Sequence, residues 1–287
     1  MNAGAADINA WVGRRECIED VIVPGPVARL AATLDRDDPP PAPGDALPPG
    51  WHWLYFLHAT PQRGIAPDGH DARGGFLPAI DLPRRMWAGG RIWFREALRI
   101  GERVRRESEI VSVTPKEGRA GVLVFVTVRH VVSGEAGVAV EEEHDIVYRE
   151  AQRAGAPEPP PAMPPATPVW QRRIDPDPVM LFRFSALTFN GHRIHYDRDY
   201  VTGVEGYPGL VVHGPLTAIL LLDLLRRSLP ERVPARFDYR ALAPLFDTAP
   251  FTVAGAPGED GASATLWAAR PDGAMAMHGT AVLEPDA

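Results

Sequence analysis

The polar residues best suited to chemistry are concentrated in FSALTFNGHRIHYDRDY, residues 184–200, and in EGYPGLVVHGPL, residues 205–216. Small, aromatic and polar side chains there interrupt a sequence that is otherwise apolar. Burying Asn or His in such a connection costs free energy unless the group is hydrogen-bonded, so these connections are often functional. Because histidine can accept and return a proton near neutral pH, His195 is the leading candidate for acid–base chemistry.

Two further residues could complete a reaction site around His195. An amide such as Asn190 can hold and orient a water molecule but cannot exchange a proton with it. Gly214 precedes an apolar helix predicted from Pro215 to Leu229, and the unpaired N–H groups at a helix N-terminus stabilise an oxyanion. Each residue also has an ordinary structural interpretation: a hydrogen-bonded histidine, a turn residue and a close-packing glycine.

The spacing of His192 and His195 also suggests a metal site, which would need a third ligand such as His213 or Asp197. An HxxH pair in a loop lacks the i, i+4 helical geometry of the zinc proteases. We therefore expect no metal and no cofactor. His192 and His213 are interpreted instead as residues of the substrate pocket.

A second polar segment, RRMWAGGR, contains further candidate substrate-binding residues, namely Arg84, Arg85, Trp87, Gly89, Gly90 and Arg91. Guanidinium groups bind phosphates and carboxylates, and glycines permit a close backbone approach beside an aromatic wall. A solvated turn is the competing interpretation for each arginine. The nearby GHDARGG lacks both GxGxxG and GxxxxGK, so it does not predict a phosphate loop.

Composition excludes several other classes. A formal net charge of -7 over 287 residues argues against nucleic-acid binding. The single cysteine, Cys17, cannot form an internal disulfide, and the first residues lack the apolar core of a signal peptide. LTAILLLDLL is shorter than the roughly 20 apolar residues that span a bilayer. We expect a cytoplasmic protein that binds neither nucleic acid nor membrane.

Hydrophobic patterns predict two similar halves, residues 1–153 and 169–287, joined by an extended proline-rich linker at 154–168. The first half is predicted to contain a helix at Val27–Leu34, a strand at WHWLYFL and strands near 102–113, 121–132 and 138–148. The second is predicted to contain a strand at MLFRFSAL, the helix after Gly214 and strands at ARFDYRAL, PFTVAGAP, ATLWAARP and AMHGTAVLE. Because LTAILLLDLL is apolar on nearly every face, the class is α+β with a sheet wrapped around a buried helix.

The order of a strand, FNGHRIHYD, a Pro-Gly turn and VVHGPL resembles the MaoC-like hydratases. More closely, it resembles the hydroxyacyl-thioester dehydratase type 2 branch and the bacterial mesaconyl-CoA or itaconyl-CoA hydratases. GGFLPAIDLPRRMWAGGRIWF, residues 74–94, is similar to the loop before the first strands of those proteins. The resemblance covers nearly the whole chain and implies a double hotdog, in which two fused units each wrap an antiparallel sheet around a central helix. It also implies an acyl pocket in the N-terminal unit, the catalytic loop in the C-terminal unit, and a homodimer or higher homo-oligomer.

The catalytic loop of MaoC-like enzymes reads Gly-Asp-x-Asn-Pro-x-His. Aligning its last histidine places the catalytic histidine on His195, the aspartate on Asn190 and the glycine of the helix-opening His-Gly pair on Gly214. The resemblance implies reversible hydration of a short 2-enoyl-CoA to a 3-hydroxyacyl-CoA. Since Asn190 cannot transfer a proton, we predict a single-histidine proton shuttle, with Asp197 or Glu205 as candidates to orient His195 or to act as a second acid.

The acyl group stays open. A branched dicarboxylic group of the mesaconyl or itaconyl type is the first choice, because of the arginine-rich segment. The alternatives are a 3-hydroxyacyl-ACP dehydratase of type II fatty-acid synthesis, an acyl-CoA thioesterase and a catalytically silent acyl-CoA-binding protein. A thioesterase would need a carboxylate to activate water, whereas this loop has the amide of Asn190. The same amide is the reason for considering a catalytically silent acyl-CoA-binding protein.

Overall fold

The computed structural model describes residues 8–118, 121–150 and 160–284, which form ten β-strands and four α-helices. The strands are β1 (Arg15–Val21), β2 (Arg84–Phe94), β3 (Arg103–Gly118), β4 (Gly121–Gly134), β5 (Gly137–Arg149), β6 (Trp170–Ile174), β7 (Pro234–Ala241), β8 (Phe251–Pro257), β9 (Ser263–Ala269) and β10 (Met275–Leu283). The helices are α1 (Pro24–Thr33), α2 (Pro178–Leu187), α3 (Arg198–Gly203) and α4 (Gly214–Ser228). None of these helices is long and apolar enough to cross a membrane.

The strands form one antiparallel sheet in the order β1-β3-β4-β5-β2-β7-β10-β9-β8-β6. The strands predicted near 102–113, 121–132 and 138–148 are confirmed as β3, β4 and β5, and the last four predicted in the second half as β7 to β10. Along β4 every second side chain from Val124 to Val132 is buried, which is the period of a strand with one face on the core. Of the predicted linker, residues 154–159 lie outside the described residues, and residues 160–168 contain no helix or strand.

Two predicted strands are wrong. MLFRFSAL lies in helix α2, because Asp177 accepts a hydrogen bond from the Met180 N–H at 2.7 Å and Pro178 occupies the first helical turn. WHWLYFL begins with a 3₁₀ turn, Trp51–Leu54, which follows Gly50 in a left-handed conformation. Both segments are apolar, and short apolar runs do not distinguish a strand from a buried helical turn.

Helix α4 is the most deeply buried element and confirms the helix predicted after Gly214. Every residue from Leu216 to Leu225 is buried, and the helix packs against β6, β8, β9 and β10. The one charged residue in that run, Asp223, forms ion pairs with Arg36 at 2.7 Å, Arg227 at 2.7 Å and Arg172 at 3.3 Å. A buried carboxylate needs such partners, and Arg36 brings one of them from the N-terminal half.

The two halves join where β2 pairs with β7, with Gly90 opposite Tyr239 in the register. A Cβ atom at Gly90 would overlap the Tyr239 hydroxyl and approach the Glu143 carbonyl oxygen to 2.5 Å. At Gly89 it would overlap the Tyr239 carbonyl oxygen. Strand β2 was not predicted from the sequence, and the two glycines assigned there to the substrate pocket lie in this seam. They allow the close approach of strand β7.

Replacing Gly90 with alanine is expected to destabilise the fold by about 2 kcal/mol, because the added methyl group must displace the Tyr239 side chain and the Glu143 carbonyl of β5. Urea denaturation followed by circular dichroism measures this change. Gly203→Ala is the matched control, since a Cβ atom there meets nothing within 4 Å. Equal stability of the two variants would show that the seam does not require glycine.

Candidate active site

His195 ends a 3₁₀ turn, Arg193–His195, and its side chain is 7% exposed. Its Nδ1 atom lies 2.7 Å from the Val211 carbonyl oxygen, and the Val211 N–H donates to the Ile194 carbonyl oxygen at 2.9 Å. A carbonyl oxygen can only accept, so Nδ1 carries the proton and Nε2 keeps its lone pair. These two bonds fix both the orientation and the tautomer of the imidazole.

The surroundings keep His195 neutral. Burial lowers the pKa of His195 to about 4, and the hydrogen bond to Val211 offsets this only in part. The His213 ring stacks on it with centroids 3.6 Å apart and planes 18° apart. Burial also holds the pKa of His213 well below its ordinary value, and its Nε2 atom lies 2.8 Å from the Ser185 hydroxyl. His195 is therefore a proton acceptor at neutral pH.

Asn190 and Gly214 border the same cleft as His195. The Asn190 side-chain oxygen accepts a hydrogen bond from the His192 N–H at 3.0 Å, which leaves its amide nitrogen to donate. Gly214 is the first residue of α4, so its N–H has no acceptor within the helix. A Cβ atom there would lie 2.7 Å from the Trp87 ring, and a glycine is therefore needed for Trp87 to cover this helix end.

The cleft has a volume of about 2790 Å³ and is lined by residues of both halves. Of the residues predicted for catalysis or binding, it is lined by Arg84, Arg85, Trp87, Asn190, His192, His195 and Gly214. His213 lies behind His195. Arg91 is also outside the lining, and its guanidinium group pairs with Glu143 at 2.8 Å and Asp145 at 3.0 Å.

The two arginines of the lining differ in their partners. Arg84 pairs with the Glu205 carboxylate and donates to the Glu205 carbonyl oxygen at 2.8 Å. Arg85 lies close enough to the Tyr148 phenol for its charge to oppose the rise in the Tyr148 pKa that burial causes, and no carboxylate among the described residues pairs with Arg85. Arg85 is therefore positioned to receive an anionic group from a ligand.

Neither carboxylate proposed to orient His195 contacts it. Asp197 caps α3, accepting from the Tyr200 N–H at 3.0 Å, and pairs with Arg193 at 2.8 Å. Glu205 is held by Arg84 and lies 3.1 Å from the Tyr200 hydroxyl. The Val211 carbonyl oxygen performs the orienting role instead.

The N-terminal half brings Asp68 and His70 into the site, and neither residue was predicted from the sequence. The Arg193 N–H donates to the Asp68 carbonyl oxygen at 2.9 Å, and a Cβ atom at Gly69 would overlap the Gly191 carbonyl oxygen. The His70 ring centroid lies 3.9 Å from that of His192, which lies 5.4 Å from that of His195. An Asp-Gly-His sequence beside a glycine-rich loop was the available signal, and it was tested only as a phosphate loop.

Two groups of side chains within the described ranges bring potential metal ligands within 4.8 Å of one another: Asp68, His70 and His192, and His130, Glu142 and His144. In the first group, Asp68 and His70 are hydrogen-bonded to each other at 3.1 Å. In the second, the Glu142 carboxylate accepts from Trp53 at 2.9 Å and contacts His52 at 3.0 Å. These contacts satisfy the carboxylates without an ion. The expectation that no metal takes part stays a prediction.

Comparison with known proteins identifies the family. The model of the hydroxyacyl-thioester dehydratase type 2 family matches residues 50–247. The mesaconyl-C(4)-CoA hydratase of Chloroflexus aurantiacus is 49% identical over 282 residues, which cover 97% of this chain and 99% of that protein. The mitochondrial hydroxyacyl-thioester dehydratase type 2 of Schizosaccharomyces pombe is 27% identical over 267 residues, covering 82% of this chain and 88% of that protein.

Solved structures agree on the fold. HtdX of Mycobacterium tuberculosis superposes with a TM-score of 0.64 at 18% identity, covering 93% of this chain and 99% of that one. A second protein of the same organism, described as having a double hotdog fold, superposes with a TM-score of 0.55 at 15% identity, covering 95% and 96%. The single antiparallel sheet and its buried helix thus define a double hotdog protein of the α+β class. The chain belongs to the hydroxyacyl-thioester dehydratase type 2 family, and the predicted resemblance is confirmed.

Unfolding is expected to take up protons in mildly acidic solution. His195 and His213 have lowered pKa values in the folded state but titrate near 6.5 when unfolded. The unfolded state then binds more protons below about pH 6.5, so the free energy of unfolding falls as pH decreases toward 4. We expect a loss of about 1 kcal/mol per histidine between about pH 7 and about pH 5.5.

Urea denaturation across that range measures the slope, and His213→Gln serves as the comparison variant. The variant is expected to show a shallower pH dependence, because one buried imidazole no longer contributes. A free energy of unfolding that does not change between these pH values would contradict the assignment of both histidines as neutral.

Proposed function

We propose that the protein is a hydro-lyase that reversibly hydrates a short 2-enoyl-CoA to the 3-hydroxyacyl-CoA. The main support for this function is the buried His195. Its Nδ1–H donates to the Val211 carbonyl oxygen, and its Nε2 is free to accept a proton. It shares a cleft with the N-terminus of α4, where an enolate oxygen can be stabilised. Family membership and the 49% identical hydratase support the same reaction class.

In the hydration direction, Nε2 of His195 accepts a proton from water while the water oxygen bonds to Cβ of the enoyl group. The electrons of the double bond move toward the thioester carbonyl, which becomes an enolate. The Gly214 N–H, at the positive end of the α4 dipole, donates to the enolate oxygen. The Asn190 amide nitrogen holds the water by donating to its oxygen.

Protonation of Cα then completes the addition of one water across the double bond. The imidazolium formed on His195 is one available donor, and its low pKa favours rapid release of the proton. Dehydration follows the same steps in reverse. The stacked His213 supports the ring without competing for the proton, since burial keeps it neutral as well.

Arg85 supports a dicarboxylic acyl group. Its guanidinium group lines the cleft without a carboxylate partner from the described residues, and its charge lowers the pKa of the nearby His70 and His192. That position beside the histidines suits a carboxylate on the acyl chain better than the phosphates of CoA, which the whole pantetheine arm separates from the thioester. The 49% identical relative is named for a mesaconyl substrate, and we propose a branched acyl group of this type.

We further propose CoA rather than a carrier protein as the thioester donor, action in the cytoplasm and assembly into a homodimer or larger homo-oligomer. A preference for 3-hydroxyacyl-ACP would instead assign the protein to type II fatty-acid synthesis. Release of free thiol without change in enoyl absorbance would indicate a thioesterase. Binding of acyl-CoA without turnover would indicate a silent binding protein.

His195→Ala is expected to lower kcat for the best enoyl-CoA by about 10²–10⁴-fold, because the variant lacks the proton acceptor. Enoyl-thioester absorbance measures turnover over a panel of enoyl-CoA substrates. Asn190→Asp is the companion variant. Increased activity would show that a carboxylate at this position favours turnover, and decreased activity would show that the amide favours turnover. Wild-type turnover by His195→Ala would exclude the mechanism.

Arg85→Met is expected to lower kcat/KM for mesaconyl-CoA by about 10²-fold, because a charge-assisted hydrogen bond to the substrate carboxylate is lost. Crotonyl-CoA, which has no free carboxylate, should be affected less than about threefold and serves as the internal control. Arg63→Met removes an exposed arginine outside the cleft and should change neither value. An equal loss on both substrates would assign Arg85 to the CoA moiety or to the fold instead.

A further inference from the structure

His70, from the N-terminal half, repeats the hydrogen-bonding arrangement of His195 in the same cleft. Its Nδ1 atom lies 3.1 Å from the Asp68 carboxylate, which also accepts from the His70 backbone N–H at 3.0 Å. As at His195, an oxygen acceptor holds Nδ1 and leaves Nε2 free. His70 lines the cleft, whereas Asp68 lies behind it.

We propose that His70 is a second catalytic residue, which exchanges the proton at Cα of the acyl chain, and that Asp68 is its positioning residue. This inference rests on the proposed hydratase function. It replaces the single-histidine shuttle with two groups, one from each half of the chain. The pair of Asp68 and His70 supplies the carboxylate that the catalytic loop lacks at Asn190.

The two histidines differ in what faces them. His195 is held by a neutral carbonyl and stacks on a second imidazole, so its surroundings disfavour a positive charge. His70 is held by a carboxylate, which stabilises an imidazolium. Burial lowers the pKa of His70, and the hydrogen bond that its Nδ1–H donates to Asp68 opposes that effect. Of the two rings, His70 is therefore the one that is protonated more readily, and His195 is the one that stays neutral with a free lone pair.

The charged and titratable groups around His70 come from three elements. Asp68 and Asp71 belong to its own loop, Arg85 comes from β2, and His192 from the catalytic loop. Arg85 opposes protonation of His70, while the two carboxylates favour it. Burial lowers the pKa of His192 to about 2, so this ring stays neutral between His70 and His195.

The proton balance closes over one cycle. In hydration, His195 takes a proton from water as the C–O bond forms at Cβ, and the Nε2–H of His70 protonates Cα. His195 is then protonated and His70 neutral. The proton returns from His195 to His70 through His192, whose ring lies between them, or through solvent in the cleft. The net change is the addition of one water.

The test measures the pH dependence of kcat/KM for Asp68→Asn. This variant leaves one side-chain oxygen for the two His70 donors that Asp68 now accepts from, the backbone N–H and Nδ1–H, and it removes the charge that stabilises the imidazolium. On the alkaline side, where His70 loses its proton, we expect the falling limb to move to lower pH by about one unit. We also expect kcat near neutral pH to fall by about 10²-fold or more.

Asp71→Asn is the matched control, because Asp71 is a carboxylate of the same loop but makes no hydrogen bond to His70. The alkaline limb of this variant should move by less than half of the shift expected for Asp68→Asn. A second variant, His70→Ala, is assayed with and without added imidazole. Recovery of turnover by imidazole indicates a proton-transfer role, which a purely structural residue would not show. Circular dichroism at the assay temperature confirms that each variant is folded.

The outcomes separate the two proposals. If the wild-type protein fails to hydrate any enoyl-CoA, the proposed function is wrong. If the wild type is active and Asp68→Asn keeps both its turnover and its alkaline limb, the function stands and the role of His70 and Asp68 is refuted. A loss of activity in His70→Ala that imidazole does not restore, with an unmoved limb in Asp68→Asn, refutes it as well.

Discussion

The seam between β2 and β7 is the constraint on which the site depends. It joins the strands of the two halves into one ten-stranded sheet, and it can form only because Gly89 and Gly90 leave room for Tyr239. The segment that precedes β2 in the chain is thereby brought to the catalytic loop of the other half. There a second glycine contact, Gly69 against Gly191, lets the two loops touch. Close backbone contacts at these glycines, which larger side chains would prevent, thus bring the two units together to form the site.

Burial of α4 determines where its positive N-terminus lies relative to the cleft. The helix is held by apolar contacts on nearly all faces, and Asp223 adds a set of ion pairs near its C-terminal end. Its N-terminus is thereby fixed at the cleft, where Gly214 and its free N–H border the same space as His195. The cost of burying several imidazoles there is limited because they remain neutral and hydrogen-bonded. The same neutrality leaves the Nε2 lone pair of His195 available to accept a proton.

The elements that the sequence predicted correctly are those with a long local pattern. The alternation in β4 and the all-round apolar surface of α4 each follow from contiguous residues, and so do His195, Asn190 and Gly214, which lie within one stretch of the chain. WHWLYFL and MLFRFSAL were wrong because an aromatic and apolar run of seven or eight residues fits a turn, a helix or a strand. Strand β2 was missed because its glycines suggest a loop when the partner strand is unknown. Asp68 and His70 were missed for a related reason, since their meaning arises only from contact with a loop far along the chain.

Asn190 illustrates how that long-range contact changes the interpretation of a single residue. Compared with the family motif, its amide looks like the loss of an acid. In the structure its oxygen accepts the His192 N–H and so shapes the loop that carries both His192 and His195. A carboxylate could make the same bond, but it would add a negative charge beside imidazoles whose neutrality the site requires. Asp68 instead places its charge against His70, while burial keeps His195 neutral. Separating the carboxylate from the base in this way lets one buried cluster contain both a proton donor and a proton acceptor.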